Sequence, residues 1–248
     1  LRHTLFPYTT LFRSAAIGKW HLGLGWTRKN GQPVDDLVSW HEDGFDIDYR
    51  RKILGGPLDL GFDYFFGIAG SLDMPPYCLI ENEMPIDIPT IEKSPYNPQQ
   101  RRGLMTPDWR DDMVDVRFKE QAIGFIRDHR KNHSKSPFFL YLAPAAPHRP
   151  CVPPDFIRGT SNAGLRGDAV VLVDWVVGEV VEELESQNIL EDTLIIVTSD
   201  NGAVLTNYDR KDYGHKANGD LRGQKGDIWD GGHREPFVAM WKNHIQPG

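Results

Sequence analysis

An apolar run that ends in a carboxylate beside a carboxamide, Thr193–Gly202 (TLIIVTSDNG), carries the most pointed chemistry in the chain. Short β-branched apolar segments read as buried parallel strands, and open α/β sheets hold ligands just beyond the carboxyl ends of such strands. Asp200 and Asn201 then stand where a hard cation would bind. An all-oxygen pair suits calcium or magnesium better than zinc, which prefers nitrogen and sulfur. An ordinary Asn-Gly turn is the competing reading.

Three other loops carry reactive side chains. Gly18-Lys19-Trp20-His21-Leu22-Gly23 follows the apolar Ala15–Ile17 and sets a cation and an imidazole two residues apart. On an extended segment those side chains share a face and would address one anion together; a surface Lys and a core-edge His are the plainer alternative. The strand-like Pro137–Ala143 runs into Pro144-Ala145-Ala146-Pro147-His148-Arg149-Pro150, where three prolines stiffen the loop that presents His148. Leu221-Arg222-Gly223-Gln224-Lys225-Gly226 leads through Gly231-Gly232-His233-Arg234-Glu235-Pro236 to another strand-like run, Phe237–Trp241. Its glycines let backbone approach a ligand closely around Lys225.

Lys, His and Asp/Asn on four loops suit a small tetrahedral oxyanion beside a divalent metal. Taken together, G-K-W-H-L-G, the strand ending in S-D-N-G, the A-P-H loop and L-R-G-x-K-G-x-x-x-x-G-G-x-R-x-P resemble the type I sulfatases of the alkaline-phosphatase-like superfamily, over residues 14–248. The resemblance implies an α/β fold: a mixed, mostly parallel sheet flanked by helices, present here as a partial domain. It implies a sulfuric ester hydrolase, arylsulfatase-like, with one calcium ion (magnesium the alternative) held in part by Asp200 and Asn201. The family's nucleophile is a formylglycine made from Cys or Ser in C-x-[PA]-S-R. Carried over residue by residue, Lys19 and His21 match the pair that steadies the nucleophile and a sulfate oxygen, His21 being the base that later expels sulfate. His148 and Lys225 match the pair facing the leaving-group oxygen. Ser71, in Gly67–Asp73, matches more loosely a serine that contacts sulfate or formylglycine, and Gly-Ser-Leu-Asp is also ordinary turn chemistry. Two positions depart mildly from the pattern: Asp227 where Thr or Ser is frequent, and Asp230 where Glu is.

Electrostatics support those roles. Cleaving a sulfate ester moves negative charge onto the bridging oxygen, and Lys19, Lys225 and a divalent ion would supply fixed positive charge where it develops. His148 as general acid and His21 as general base need opposite protonation states, hence different surroundings.

The nucleophile itself is not found. Cys78 continues as Leu-Ile-Glu-Asn and Cys151 as Val-Pro-Pro-Asp, neither followed by Ser-Arg. The family's nucleophile motif and its Asp-Asp metal pair lie upstream of G-K-W-H-L-G, so the expectation is an internal fragment, inactive as it stands, that lacks N-terminal and C-terminal portions. Residues 1–13 (LRHTLFPYTTLFR) are basic, apolar and free of acids, without an h-region or cleavage site, and read as a non-native or disordered extension. A periplasmic or secreted location follows from the resemblance alone. A phosphatase or phosphonate monoester hydrolase of the same superfamily, and a non-catalytic binding homologue, are the alternatives.

Composition bounds the partners. A net charge of −7 argues against nucleic acid, and no apolar run approaches the ~20 residues of a membrane span. A small-molecule or carbohydrate sulfate ester is the expected partner; oligomeric state is unread. Helical spacing of Val114, Phe118, Ala122 and Phe125 predicts a helix over Asp112–Arg130, and length with acids at Glu179, Glu182, Glu183 and Glu185 predicts another over Gly167–Gln187. Asp174 reads as a partly exposed or hydrogen-bonded helix residue, and His215 as a solvated loop residue, with contact to substrate the alternative. Gly25–Trp109, rich in Pro, Gly, Asp and Asn, reads as long loops over the site mouth. There Trp26, Trp40, Tyr49, Tyr64 and Tyr77 would stack on a ring or pack the loops down.

Overall fold

Residues 12–34 and 43–248 are described by a computed structural model, and they fall into two units that divide after Pro154. Trp40 and residues 1–11 lie outside the described residues.

In the first unit the strands are β1 (Arg13–Lys19), β2 (Trp26–Thr27), β3 (Pro33–Val34), β4 (Tyr64–Ile68), β5 (Ile80–Glu81), β6 (Met84–Pro85), β7 (Ile91–Glu92), β8 (Leu104–Met105) and β9 (Phe138–Ala143), with one long helix, α1 (Val114–Asn132). The main sheet runs β6-β5-β4-β1-β9, with β1 parallel to both β4 and β9 and the short β5 and β6 antiparallel. Successive residues of a strand face opposite sides, and β4 uses both. Phe66 meets Phe118 of α1 edge-on at 6.4 Å, while Phe65 meets Trp20 at 6.3 Å. Beneath Trp20 lies a buried cluster of Leu24, Trp26, Ile47, Tyr49, Ile53, Phe62, Cys78 and Ile80. The Gly25–Trp109 region is thus not loops alone: it supplies β2 to β8 and much of a core. Trp26, Tyr49 and Tyr77 are buried packing residues, with the Tyr77 hydroxyl donating to the Arg101 carbonyl, and half-buried Tyr64 donates to Glu81. Burial of this kind rules out ring stacking by those three aromatics.

The predicted helix over Asp112–Arg130 is α1, preceded by a 3-10 turn at Asp111–Met113. Its buried stripe includes Val114, Phe118, Ala122, Phe125 and His129, and His129, Arg130 and Lys131 in its last turn suit the negative end of the helix dipole. Arg13 already belongs to β1; its guanidinium pairs with Asp128 at 2.6 Å and covers the Phe125 ring.

The second unit holds α2 (Gly164–Ser186), β10 (Ile195–Thr198), the short helices α3 (Asn207–Tyr213) and α4 (Asp230–His233), and β11 (Phe237–Met240). Helix α2 begins three residues before the predicted span, burying Asp168, Leu172 and Val176 at four-residue steps, and leaves Asp174 exposed as expected. The reading of the strand before Asp200 as buried and parallel needs correction. Among the described residues β10 pairs antiparallel with β11 alone, and Ile196, Phe237 and Val238 are exposed. A β-branched apolar run specifies an extended backbone; neither the direction of its partner nor what covers its faces is written in it. The same applies to β9, last in the sheet order among the described residues, whose Phe139 and Tyr141 are exposed. No helix among the described residues is long and apolar enough to cross a membrane.

Candidate functional site

Four of the candidates, Lys19, His21, Ser71 and His148, belong to the first unit, and all four leave the same end of its sheet. Strands β4, β1 and β9 lie side by side and parallel, so their carboxyl ends abut. Two bare glycines make that end tight: a Cβ on Gly18 would stand 2.1 Å from the Ala143 carbonyl oxygen, and one on Gly67 would stand 1.9 Å from that of Gly18. Beyond Lys19 the backbone stays zipped to the β4 loop, Trp20 N–H donating to Ile68 at 3.1 Å and His21 N–H to Ala69 at 2.9 Å. Yet β1 stops at Lys19, and His21 has a left-handed φ of 49°. The alternation argument for Lys19 and His21 on one face therefore fails; a turn, not an extended strand, sets the imidazole. A non-glycine residue in that region is costly by about 1–3 kcal/mol and is concentrated at functional positions.

Ser71 sits on the β4 loop, 3% exposed, its Oγ without a hydrogen-bond partner among the described residues. Two residues on, Asp73 is equally enclosed. Its Oδ2 accepts from Arg149 Nε at 3.2 Å, and its Oδ1, which has no hydrogen-bond partner among the described residues, lies 3.8 Å from His148 Nδ1. The loop after β9 thereby reaches the loop after β4. His148 Nδ1 stands 2.8 Å from the Arg149 carbonyl oxygen. A carbonyl only accepts, so Nδ1 carries a proton and Nε2 is the nitrogen left to exchange one.

Asp115, in the first turn of α1, anchors the loop from behind. Its two oxygens accept the N–H groups of Ala145 (2.6 Å) and Ala146 (3.0 Å), just ahead of His148. Burial pushes this carboxyl up to about 6, against the pull of the two backbone donors. Two further contacts brace the β4 loop: Gln100 Nε2 donates to the Leu72 carbonyl at 2.6 Å and Arg101 N–H to that of Asp73 at 3.0 Å. Gln100 also reaches Asp111, which forms a buried pair with Lys93 at 2.7 Å.

Asp200, Asn201 and Lys225 belong to the second unit. Asp200 is exposed directly beyond β10, and the Ser199 hydroxyl donates to the Asn201 carbonyl at 3.1 Å. The glycine-rich loop is laid against this turn. Gly202 N–H donates to Gly232 at 3.0 Å and Lys225 N–H to Ala203 at 3.2 Å, and a Cβ on Gly202 would meet the Gly231 oxygen at 1.9 Å. One side chain ties these pieces together. Asn218 Oδ1 accepts from Ala203 N–H at 3.0 Å, and its Nδ2 lies 3.1, 3.1 and 2.9 Å from the carbonyl oxygens of Ala203, Gly223 and Gly231. His215 is exposed just past α3.

Asp200 and Asn201 offer hard oxygen donors, the chemistry calcium or magnesium requires, but only two of the six to eight calcium takes. No group of three or more His, Cys, Asp or Glu suited to a metal occurs among the described residues. Neither cysteine enters the candidate set: Cys78 is fully buried, which pushes its thiol up, and Cys151 contacts the Pro147 carbonyl.

Asp73, Arg149, Asp115 and Asn218 escaped the sequence reading. Only Asp115 left a trace, an acid on the apolar stripe of a helix, three residues before Phe118; the others are polar residues in polar loops.

Comparison with known proteins matches the chain to one family. The sulfatase family model matches residues 11–248. An N-acetylgalactosamine-6-O-sulfatase of Bacteroides thetaiotaomicron is 30% identical, aligned over 95% of this chain and 50% of its own length. An arylsulfatase of Hemicentrotus pulcherrimus is 37% identical over 96% of this chain and 37% of its own length, and human N-acetylgalactosamine-6-sulfatase is 29% identical over 95% and 38%. Among solved structures, a B. thetaiotaomicron sulfatase reported with the metabolism of multiple glycosaminoglycans superposes with a TM-score of 0.76 at 27% identity, covering 95% of this chain and 53% of that one. A Pseudoalteromonas sulfatase gives 0.65 at 26%, covering 96% and 44%. The chain spans half the length, or less, of the curated relatives it matches.

Proposed function

Because this chain belongs to the sulfatase family, we propose that its residues serve hydrolysis of a sulfate ester, with a carbohydrate sulfate of the N-acetylgalactosamine 6-sulfate class as substrate. One observation carries the reading: Lys19, His21, Ser71 and His148 leave the adjoining carboxyl ends of three parallel strands, the sheet edge where α/β folds bind ligands.

Lys19 and Lys225 neutralise the sulfate oxygens, and Ser71 Oγ, buried without a partner among the described residues, donates to one of them. His148 gives the Nε2 proton to the bridging oxygen as the sulfur–oxygen bond breaks, and His21 acts as base in releasing sulfate. Asp200 and Asn201 would hold part of the coordination shell of a calcium ion, which supplies Lewis-acid charge stabilisation when bound. A formylglycine, in the position the family uses, would supply the attacking oxygen. The family's exported members make a periplasmic or secreted location the corresponding proposal for the whole protein.

Paired assays of the full-length protein test this. Aryl sulfate is expected to be turned over in preference to aryl phosphate, and Lys225→Ala and His148→Ala each to lower kcat for a carbohydrate 6-sulfate by on the order of 100-fold with little change in melting temperature. Preference for phosphate, or near-normal rates in both variants, would overturn it.

A further inference from the structure

Asp73 is a buried acid that local structure does not explain. It is 4% exposed, its Oδ1 has no hydrogen-bond partner among the described residues, and its Oδ2 holds only the half-exposed Arg149. An enclosed and unsatisfied carboxylate oxygen is costly to keep, and such an orphan calls for an explanation in function. Its two side-chain neighbours are His148 and the residue that fixes it, Arg149. The Arg149 side chain is tied to Oδ2, and the Arg149 carbonyl accepts the Nδ1 proton of His148 at 2.8 Å. The unsatisfied Oδ1 faces that same edge of the imidazole at 3.8 Å. The backbone under Asp73 is itself held, its carbonyl by Arg101 N–H and that of Leu72 by Gln100.

We infer that Asp73 is a positioning residue for His148: through Arg149 it holds the carbonyl that keeps the proton on Nδ1, and it sets a negative charge behind the ring, so that Nε2 delivers its proton to the leaving-group oxygen. This rests on the sulfatase reading. In the step, the electron pair of the sulfur–oxygen bond goes to the bridging oxygen, which takes the Nε2 proton. The sulfuryl group would pass to the oxygen that a formylglycine supplies, and the His148 imidazolium becomes a neutral ring that keeps its Nδ1 proton, donated to the Arg149 carbonyl.

The leaving group reports on this role. A 4-nitrophenolate departs without needing a proton, whereas a sugar alkoxide does not. In the full-length enzyme Asp73→Asn is expected to lower kcat/KM about 100-fold for a carbohydrate 6-sulfate and by less than about 3-fold for 4-nitrophenyl sulfate. In a His148→Ala background the same substitution should cost almost nothing more. Equal losses on both substrates, or a full further loss without His148, would overturn the inference. Should Asp73→Asn fail to fold, ring nitrogen shifts of His148 in the wild-type protein followed through its titration decide: a ring that keeps its Nδ1 proton in both the imidazolium and the neutral form supports it, and a neutral ring that keeps the proton on Nε2 instead overturns it. Failure of the wild-type enzyme to hydrolyse either sulfate would instead remove the functional reading beneath it.

Discussion

The two units present their candidate residues by different physical means. At the carboxyl end of the first unit's sheet, the main chain does the positioning: in-register parallel ladders run up to Gly18, Gly67 and Ala143, and the pairing continues through Trp20 and His21. In the second unit the ribbon of β10 and β11 is four residues long on each side, with apolar side chains exposed, and the loops around Asp200 and Lys225, joined by single backbone bonds from Gly202 to Gly232 and from Lys225 to Ala203, are tied together by one carboxamide, that of Asn218. A ladder spreads its stabilisation over many backbone groups, none decisive alone. A hub concentrates it in one side chain, whose loss frees several loops together.

The largest effect should come from forcing side-chain volume into the ladder. Gly18 has a φ of 123° and no space before the Ala143 backbone, so Gly18→Ala requires β1 and β9 to part. It is expected to cost about 4 kcal/mol or more, enough to abolish cooperative unfolding or lower its midpoint sharply. Gly124, exposed on α1 with nothing within 4 Å of an added Cβ, is the control: Gly124→Ala should stabilise by about 1 kcal/mol. An undisturbed melting curve for Gly18→Ala would mean the sheet edge is looser than its backbone spacing implies.

Next in size is the hub. Asn218→Ala removes an acceptor for Ala203 N–H and donors shared among three carbonyls, a loss of roughly 3 kcal/mol at about 1 kcal/mol for each bond. Amide exchange would localise it: Gly202, Ala203 and Lys225 should lose about 100-fold in protection while Trp20 and His21 keep theirs. Equal loss in both regions would show that the contrast between ladder and hub is false.

The same contrast explains what the amino-acid order disclosed. Backbone-driven features were legible because periodicity encodes them: α1 from Val114, Phe118, Ala122 and Phe125, β9 from its apolar run, and the glycines of the motifs. The loops carrying Lys19, His148 and Lys225 were legible because unlike residue types crowd into short, glycine- and proline-rich segments. Partnership over distance was not. Nothing near Asn218 announces that it bonds to Ala203, 15 residues away, and nothing near Asp73 announces Arg149, 76 residues away. The positive φ of His21 escaped because a K-x-H spacing looks the same in a strand and in a turn. Trp26, Tyr49 and Tyr77 were compatible with stacking or packing until burial chose packing.

Asp115 offers the finest test, because it is a side-chain bracket inside the backbone-built region. Its carboxyl is raised from 3.8 to about 6 by burial, so the folded state binds a proton between those values that the unfolded chain has released. This contribution to stability is fully present below about pH 4 and is lost as pH rises through 6. Above that, the buried charge costs roughly 3 kcal/mol relative to the acid limit. Asp115→Asn cannot titrate, and its single amide oxygen cannot satisfy both Ala145 and Ala146 N–H, a loss of about 1 kcal/mol. The variant should therefore lie within about 1 kcal/mol of wild type at pH 4.5, and be about 2 kcal/mol more stable than it at pH 7.5, where the neutral amide is relieved of the buried charge. Denaturant midpoints at the two pH values check the sign. A deficit that grew toward pH 7.5 would mean that the two backbone donors outweigh burial, and that the His148 loop is held by a carboxylate ionised across the whole range.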